Sequence, residues 1–320
     1  MIPSGSMKAL VYTAPLELRV MDVDEPQPGQ GEVVIHVKSA GICGSELEGV
    51  RSRSPFRVPP LIMGHEFGGE RVDTGEAVVV NPIASCTTCD LCLLGQGNLC
   101  RSRAVVGIHR AGGFAEFVAV PERNLHSMPA GMSWAQAALV EPVANGVHAW
   151  RLVAARTPAR VGIFGAGPIG LVCLVVARNS AAVEVCVADL AESRLEIARQ
   201  LGAASTGREL SGEFDLVIDA VGAPATRRAS VASLRPGGVA VWLGLHSDEP
   251  SFDALDLIRG EKSVLGSFAY SDADFRRAIG IAAAIDPSWV APFPLDRGAE
   301  IFTELMNGRT DVVKAQLSPA

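Results

Sequence analysis

The sequence predicts an α/β protein in two parts, a β-rich, barrel-like domain and a doubly wound parallel sheet. Three observations carry this. Residues 8–80 alternate short apolar, β-branched runs with Gly- and Pro-rich turns and show little helical periodicity. Residues 160–268 alternate short apolar strands with helical segments, the order that builds a parallel sheet. At the start of that stretch an apolar run ends in glycines spaced G-x-G-x-x-G, at Gly165, Gly167 and Gly170. It passes straight into the helix-compatible residues 171–177.

Length and composition fit two domains, since 320 residues at 48% hydrophobic content can fill more than one core. The formal charge of −7 arises from 28 Lys and Arg against 35 Asp and Glu, with no basic block. Neither nucleic acid nor an anionic membrane is therefore expected as a partner. No apolar run reaches the ~18 residues of a transmembrane helix. The opening Met1-Ile2-Pro3-Ser4-Gly5-Ser6-Met7 has no signal-peptide core and a second methionine, and it is left out of the fold reading.

Taken in order, residues 9–12, 16–21 and 32–37 are strand candidates, parted by the turn-rich Glu25-Pro26-Gln27-Pro28-Gly29-Gln30-Gly31. Gly41-Ile42-Cys43-Gly44-Ser45-Glu46 follows, then a polar, Pro-rich loop to Pro60 that carries Arg51, Arg53 and Arg57. Beyond Gly64-His65-Glu66-Phe67-Gly68-Gly69 a further strand pair runs to Val80. Residues 112–120 read as a strand, and residues 133–140 open a helix with Ser133 as its N-cap. In the second part, residues 183–188 form a strand that ends in Asp189. Residues 193–201 are helical by the spacing of Leu195, Ile197, Ala198 and Leu201, and they stop at Gly202. Residues 214–220, 239–244 and 263–268 are further strands, residues 272–285 a helix, and residues 289–317 return to strand and helix pieces.

The glycine loop has a physical reading. The first glycine permits the tight turn, and the second lets the backbone approach a pyrophosphate. The third lets helix and strand pack closely, so that the helix N-terminus, with Pro168 and Ile169, faces the anion. Asp189 is placed to bond an adenosine ribose 2′-hydroxyl and to repel a 2′-phosphate, which favours NAD over NADP.

Cys86, Cys89, Cys92 and Cys100 are spaced C-x2-C-x2-C-x7-C. Four thiolates so close in sequence can form a tetrahedron around one Zn2+ with no open position, which makes a structural site. Cys173 and Cys186 lie in apolar segments as buried, inert thiols. Cysteines clustered in this way point to metal instead of disulfides. Three other segments, at Cys43, His65-Glu66 and Glu141, each place a metal-ligating side chain beside glycine or proline. Singly, each is equally a packed thiol, a satisfied buried histidine or a helix-end carboxylate.

Read together, Gly41-Ile42-Cys43-Gly44-Ser45, Gly64-His65-Glu66-Phe67-Gly68-Gly69, the four-cysteine loop, Glu141-Pro142 and the glycine loop resemble the zinc-dependent medium-chain alcohol and polyol dehydrogenases. Similar stretches continue through Leu234-Arg235-Pro236-Gly237-Gly238 to Gly266-Ser267-Phe268, so the resemblance covers nearly the whole chain from Met7. Glutamate at Glu141, where the liver alcohol dehydrogenase branch has cysteine, places the likeness with the sorbitol and threonine dehydrogenases.

The resemblance implies a GroES-like catalytic domain over residues 7–145 and 269–320, with a Rossmann NAD-binding domain over residues 146–268. It implies two Zn2+ per chain, one of them catalytic and held by Cys43, His65 and a glutamate, either Glu66 or Glu141. Ser45 would accept the proton of a secondary alcohol (a polyol, sugar or amino-alcohol) whose hydride passes to the nicotinamide. Arg194 would line the adenine side. Family members commonly carry histidine at Glu48, the outer end of the proton relay, and a glutamate there can still exchange protons with water. The same likeness implies a cytoplasmic homodimer or homotetramer. Two alternatives stand beside it: a zinc-independent enone or quinone reductase of the same superfamily, and a non-catalytic dinucleotide-binding zinc protein. Residues 203–214 leave little room for a third strand and the helix after it, so the Rossmann sheet is expected to be trimmed there.

Overall fold

The computed structural model describes residues 5–52, 54–180, 184–246, 252–308 and 312–319. Arg53, and Val183 at the expected start of a strand, lie outside the described residues. The chain divides into two compact units, residues 1–141 with 271–320, and residues 142–270. No helix among the described residues is long and apolar enough to cross a membrane.

The first unit is β-rich and organised around the strand Glu32–Gly41. One edge of that strand pairs with Glu66–Arg71, and the other with Phe117–Pro121 and then with Lys314–Ser318 from the far end of the chain. Its inward residues Ile35, Val37 and Ala40 are fully buried against Leu10, Phe67, Phe114, Phe302 and Leu317. Burial of each large apolar side chain contributes about 1.5–3 kcal/mol. The expected strand at residues 112–120 is shorter, because only Phe117–Pro121 runs as a strand. The amides of Gly112, Gly113 and Phe114 instead donate to the carbonyls of Ile62, Gly64 and Met63, at 2.9, 2.8 and 3.0 Å. They brace the segment that leads into His65. Ser133 caps the helix Trp134–Arg151 through a reciprocal pair of bonds with Gln136.

The second unit holds six parallel strands. Across the sheet they run Ser205–Gly207, Glu184–Ala188, Arg160–Phe164, Phe214–Asp219, Leu234–Trp242 and Ser263–Gly266. This is the doubly wound order, with its switch point between Arg160–Phe164 and Phe214–Asp219. The third strand is present but only three residues long, and residues 208–213 cross to the next strand without a helix. Three inter-strand spacings of about 4.8 Å separate those strands, within reach of six residues extended at about 3.3 Å each. The sheet is trimmed where the residue count required it.

The glycine loop sits at the C-terminal end of Arg160–Phe164. Gly165 takes φ +94°, a left-handed conformation that favours glycine. A Cβ on Gly170 would lie 1.7 Å from the Gly165 carbonyl oxygen, so the loop closes only with glycine there. Gly170→Ala is expected to open the turn and abolish NADH binding in a fluorescence titration, with the secondary structure kept by circular dichroism. Binding equal to that of the unaltered protein would contradict this account of the loop.

Candidate active site

Cys43 lies where the strand Glu32–Gly41 ends and the helix Gly44–Arg51 begins, and it is the helix N-cap with extended backbone. One turn in, Glu46 folds back over it. Its Oε2 accepts the Cys43 amide at 3.1 Å, and its Oε1 accepts the Gly64 amide at 2.9 Å and faces His65 Nδ1 at 2.9 Å. Glu46 is fully buried, which alone would raise its pKa. The charge and hydrogen bond of His65, helped by Arg57 and the Cys43 amide, hold it below its usual value. Burial likewise opposes a charge on His65. The Glu46 carboxylate and hydrogen bonds with Cys43 and Glu46 outweigh it, so the His65 pKa lies well above its usual value in the chain alone.

The ligand atoms of Cys43, His65 and Glu66 lie within 4.8 Å of one another. Thiolate, imidazole and carboxylate are zinc ligands, and three of them leave a fourth position open, as catalytic sites do. With His65 Nδ1 engaged by Glu46, Nε2 is the atom left for a metal, in a carboxylate–histidine–metal arrangement. Glu66 pairs with Lys314, whose Nζ also donates to the Ile42 carbonyl at 2.9 Å. Both side chains are buried, and a Cβ on Gly41 would lie 2.2 Å from Glu66 Oε2, so glycine makes the space for this pair. Glu141 is half-buried on the helix Trp134–Arg151 and is not one of the three clustered ligands.

Ser45 Oγ donates to Cys43 Sγ at 3.3 Å and accepts from Arg57 Nη2 at 3.0 Å. Glu48 lies exposed on the same helix, one turn beyond Ser45. Of the loop arginines, Arg51 is exposed and donates to the Met306 carbonyl, whereas Arg57 is buried.

The four loop cysteines form a second cluster, with all sulfurs within 4.8 Å of one another. Cys86 and Cys92 stand 3.8 Å apart and Cys89 and Cys100 3.9 Å apart. A tetrahedron with Zn–S bonds of about 2.3 Å has edges of about 3.8 Å, so the sulfurs already fit a closed zinc site. Amides of Thr88 and Cys89 pull the Cys86 thiol down to about 6, which favours the thiolate a metal needs.

On the nucleotide side, Gly167 caps the helix Pro168–Arg178, and Pro168 takes its first position, where no amide is missed. Ile169 is half-buried beside it. Asp189 accepts from the Ala166 amide at 2.7 Å and the Ala191 amide at 2.8 Å, so it also ties the glycine loop to the next strand. Each carboxylate oxygen keeps a second lone pair for a ribose hydroxyl. Arg194 is exposed in the first turn of the helix Glu192–Gln200.

With this geometry in hand, the comparisons are specific. The family model "Alcohol dehydrogenase GroES-like domain" matches residues 29–130, and "Zinc-binding dehydrogenase" matches residues 168–284. L-galactonate-5-dehydrogenase of Escherichia coli K12 is 33% identical over 85% of this chain and 86% of its own length. The chain belongs to the zinc-dependent medium-chain alcohol and polyol dehydrogenases. It is an alcohol/polyol dehydrogenase, an oxidoreductase that interconverts a secondary alcohol and its ketone with NAD(P). Two solved structures agree with the fold of this dehydrogenase at a TM-score of 0.89 and 28% identity, each over 98% of this chain and 100% of the other. They are the alcohol dehydrogenase RspB of E. coli CFT073 with NADH and a zinc-binding dehydrogenase of Sinorhizobium meliloti 1021 with NADP.

Sequence reasoning did not single out Glu46, Lys314 or Arg208, whose Nη1 donates to the Leu190 carbonyl at 3.1 Å beside Asp189. Glu46 could have been found as the acidic third residue of a helix that starts at Cys43. Lys314 carries no local signal, being 248 residues from Glu66.

The Glu46–His65 pair gives a pH dependence. His65 titrates near its usual value when unfolded and higher when folded. The stabilisation from this pair is therefore complete between the ordinary carboxylate and imidazole values, about pH 4.5 to 6.5, and is lost as pH rises through the folded His65 value or falls through the folded Glu46 value. In chelator-treated protein, Glu46→Gln is expected to cost more stability to urea near pH 6 than near pH 9. An equal cost at both would contradict it.

Proposed function

We propose that Cys43, His65 and Glu66 hold the catalytic zinc of this dehydrogenase and that NAD is its coenzyme. The observation that carries this is the convergence of the three ligands around a His65 whose other nitrogen is fixed by buried Glu46. Zinc held there by Cys43, His65 and Glu66 would supply Lewis acidity that polarises the substrate hydroxyl and lowers its pKa. Cys86, Cys89, Cys92 and Cys100 hold the second, structural zinc, and their spacing supports one ion per cluster.

Ser45 takes the substrate proton. The first turn of the helix places its Oγ 3.3 Å from Cys43 Sγ. Glu48, exposed one turn on, exchanges that proton with water. The helix N-terminus at Gly167, Pro168 and Ile169 receives the pyrophosphate, with Gly165 and Gly170 shaping the approach. Asp189 takes the ribose hydroxyl and disfavours a 2′-phosphate, while Arg194 lines the adenine side. Glu141 is assigned a place next to the metal ligands and not among them. A homodimer or homotetramer in the cytoplasm belongs to the same proposal.

The test is NAD reduction by a panel of polyols, sugars and amino-alcohols, with NADP and a chelator as controls. Turnover with NAD that the chelator abolishes is expected. Ser45→Ala should lower kcat by about 10²-fold or more. Glu66→Gln should reduce bound zinc further than Glu141→Gln. A preference for NADP, or full activity of Ser45→Ala, would contradict the assignments.

A further inference from the structure

Of the two loop arginines among the described residues, Arg57 is the buried one, and the dehydrogenase chemistry above leaves it without a task. Its residue is only 8% exposed. Its Nη2 donates to Ser45 Oγ at 3.0 Å, and its Nε is buried with no acceptor. It forms no ion pair among the described residues. The nearby carboxylate, Glu46, whose pKa Arg57 helps to lower, bonds Cys43, Gly64 and His65 and forms no ion pair with the guanidinium. A buried guanidinium with an unused donor and no carboxylate in ion-pair contact is costly unless an anion completes it.

The place is also built. A Cβ on Gly49 would lie 2.7 Å from Arg57 Cδ and 3.4 Å from Nε, so the helix Gly44–Arg51 is bare where the arginine lies along it. Arg57 also borders a cavity of about 290 Å3 with Tyr12, Pro15, Ser54, Val58 and Pro59, a lining that has no acidic side chain and does not include Ser45 or the three clustered ligands.

We propose that Arg57 receives an anionic group of the substrate, a carboxylate or a phosphate, and so selects secondary alcohols that carry one beside the reacting carbon. This rests on Ser45 receiving the reacting hydroxyl. Because Nη2 stands 3.0 Å from Ser45 Oγ, the anionic group falls within one or two carbons of the carbinol. Guanidinium suits both anions, since its planar fork bonds two oxygens at once.

The experiment uses the zinc-loaded, full-length protein with NADH and three matched probes, glycerol, glycerate and glycerol 1-phosphate, in calorimetric titrations. Both anions should bind more tightly than glycerol, and Arg57→Met should weaken at least one of them by about tenfold to a hundredfold. Arg57→Lys should recover part of the loss, since a point charge replaces the fork. Loss for one anion alone identifies the carboxylate or the phosphate as the natural group. Gly49→Ala keeps the charge but crowds the side chain, and it should weaken anion binding even if Arg57→Met fails to fold. Anion affinities unchanged in Arg57→Met and Gly49→Ala would mean that the metal alone holds the anion, and would overturn the proposal.

Steady-state rates separate this from the reading beneath it. With NAD, the ratio of kcat/KM for anionic over neutral alcohols should fall in Arg57→Met. An unchanged ratio in an enzyme that oxidises secondary alcohols would overturn the role of Arg57 and leave the dehydrogenase assignments standing. No oxidation of any secondary alcohol would sink those assignments, while the titrations would still decide whether Arg57 holds the anion.

Discussion

The buried carboxylate of Glu46 is the constraint on which the site depends. With two oxygens it ties the start of the helix that carries Cys43 and Ser45 to the segment that carries Gly64, His65 and Glu66. Its own burial is tolerated because a cation-capable ring and two amides surround it, where an unpartnered carboxylate would protonate or unfold its surroundings. The same bonds orient the His65 ring, so under the proposed metal site one set of contacts would both stabilise the fold and position a ligand. Lys314 plays the matching part for Glu66, and it arrives on a strand from the opposite end of the chain.

The nucleotide-binding unit meets its constraint through backbone clearance instead of charge. The Gly165 carbonyl fills the space that a side chain on Gly170 would need, and Asp189 ties the loop amide of Ala166 to the neighbouring strand. The helix that follows the loop therefore starts at a fixed place at the C-terminal end of an interior strand, with its amides free for an anion. Losing a helix between the third and fourth strands does not disturb this, because that crossover lies away from the loop in the chain and short extended residues can span it.

What could be read from the sequence was what is local in it. The glycine spacing, the four-cysteine spacing and the shortage of residues between 203 and 214 each describe a few neighbouring positions, and the structure has a glycine turn, a sulfur tetrahedron and a bare crossover there. Cys43, His65 and Glu66 gained meaning only in combination, and the structure brings those three together while leaving Glu141 outside the cluster. Lys314 was invisible because strand pairing alone decides what faces Glu66. Arg57 is one of three similar arginines in the sequence, and the bare backbone at Gly49 and the hydroxyl of Ser45 set it apart from the exposed Arg51. The strand expected at residues 112–120 was overestimated because Gly112 and Gly113 allow a close approach that redirects their amides to the segment before His65.

The most direct measurement of the central claim is the zinc content of the purified protein beside that of a His65→Ala variant that still binds NADH. The account predicts about two zinc ions per chain in the unaltered protein and about one in the variant, since the cysteine cluster is untouched. One zinc in the unaltered protein, or two in the variant, would contradict it.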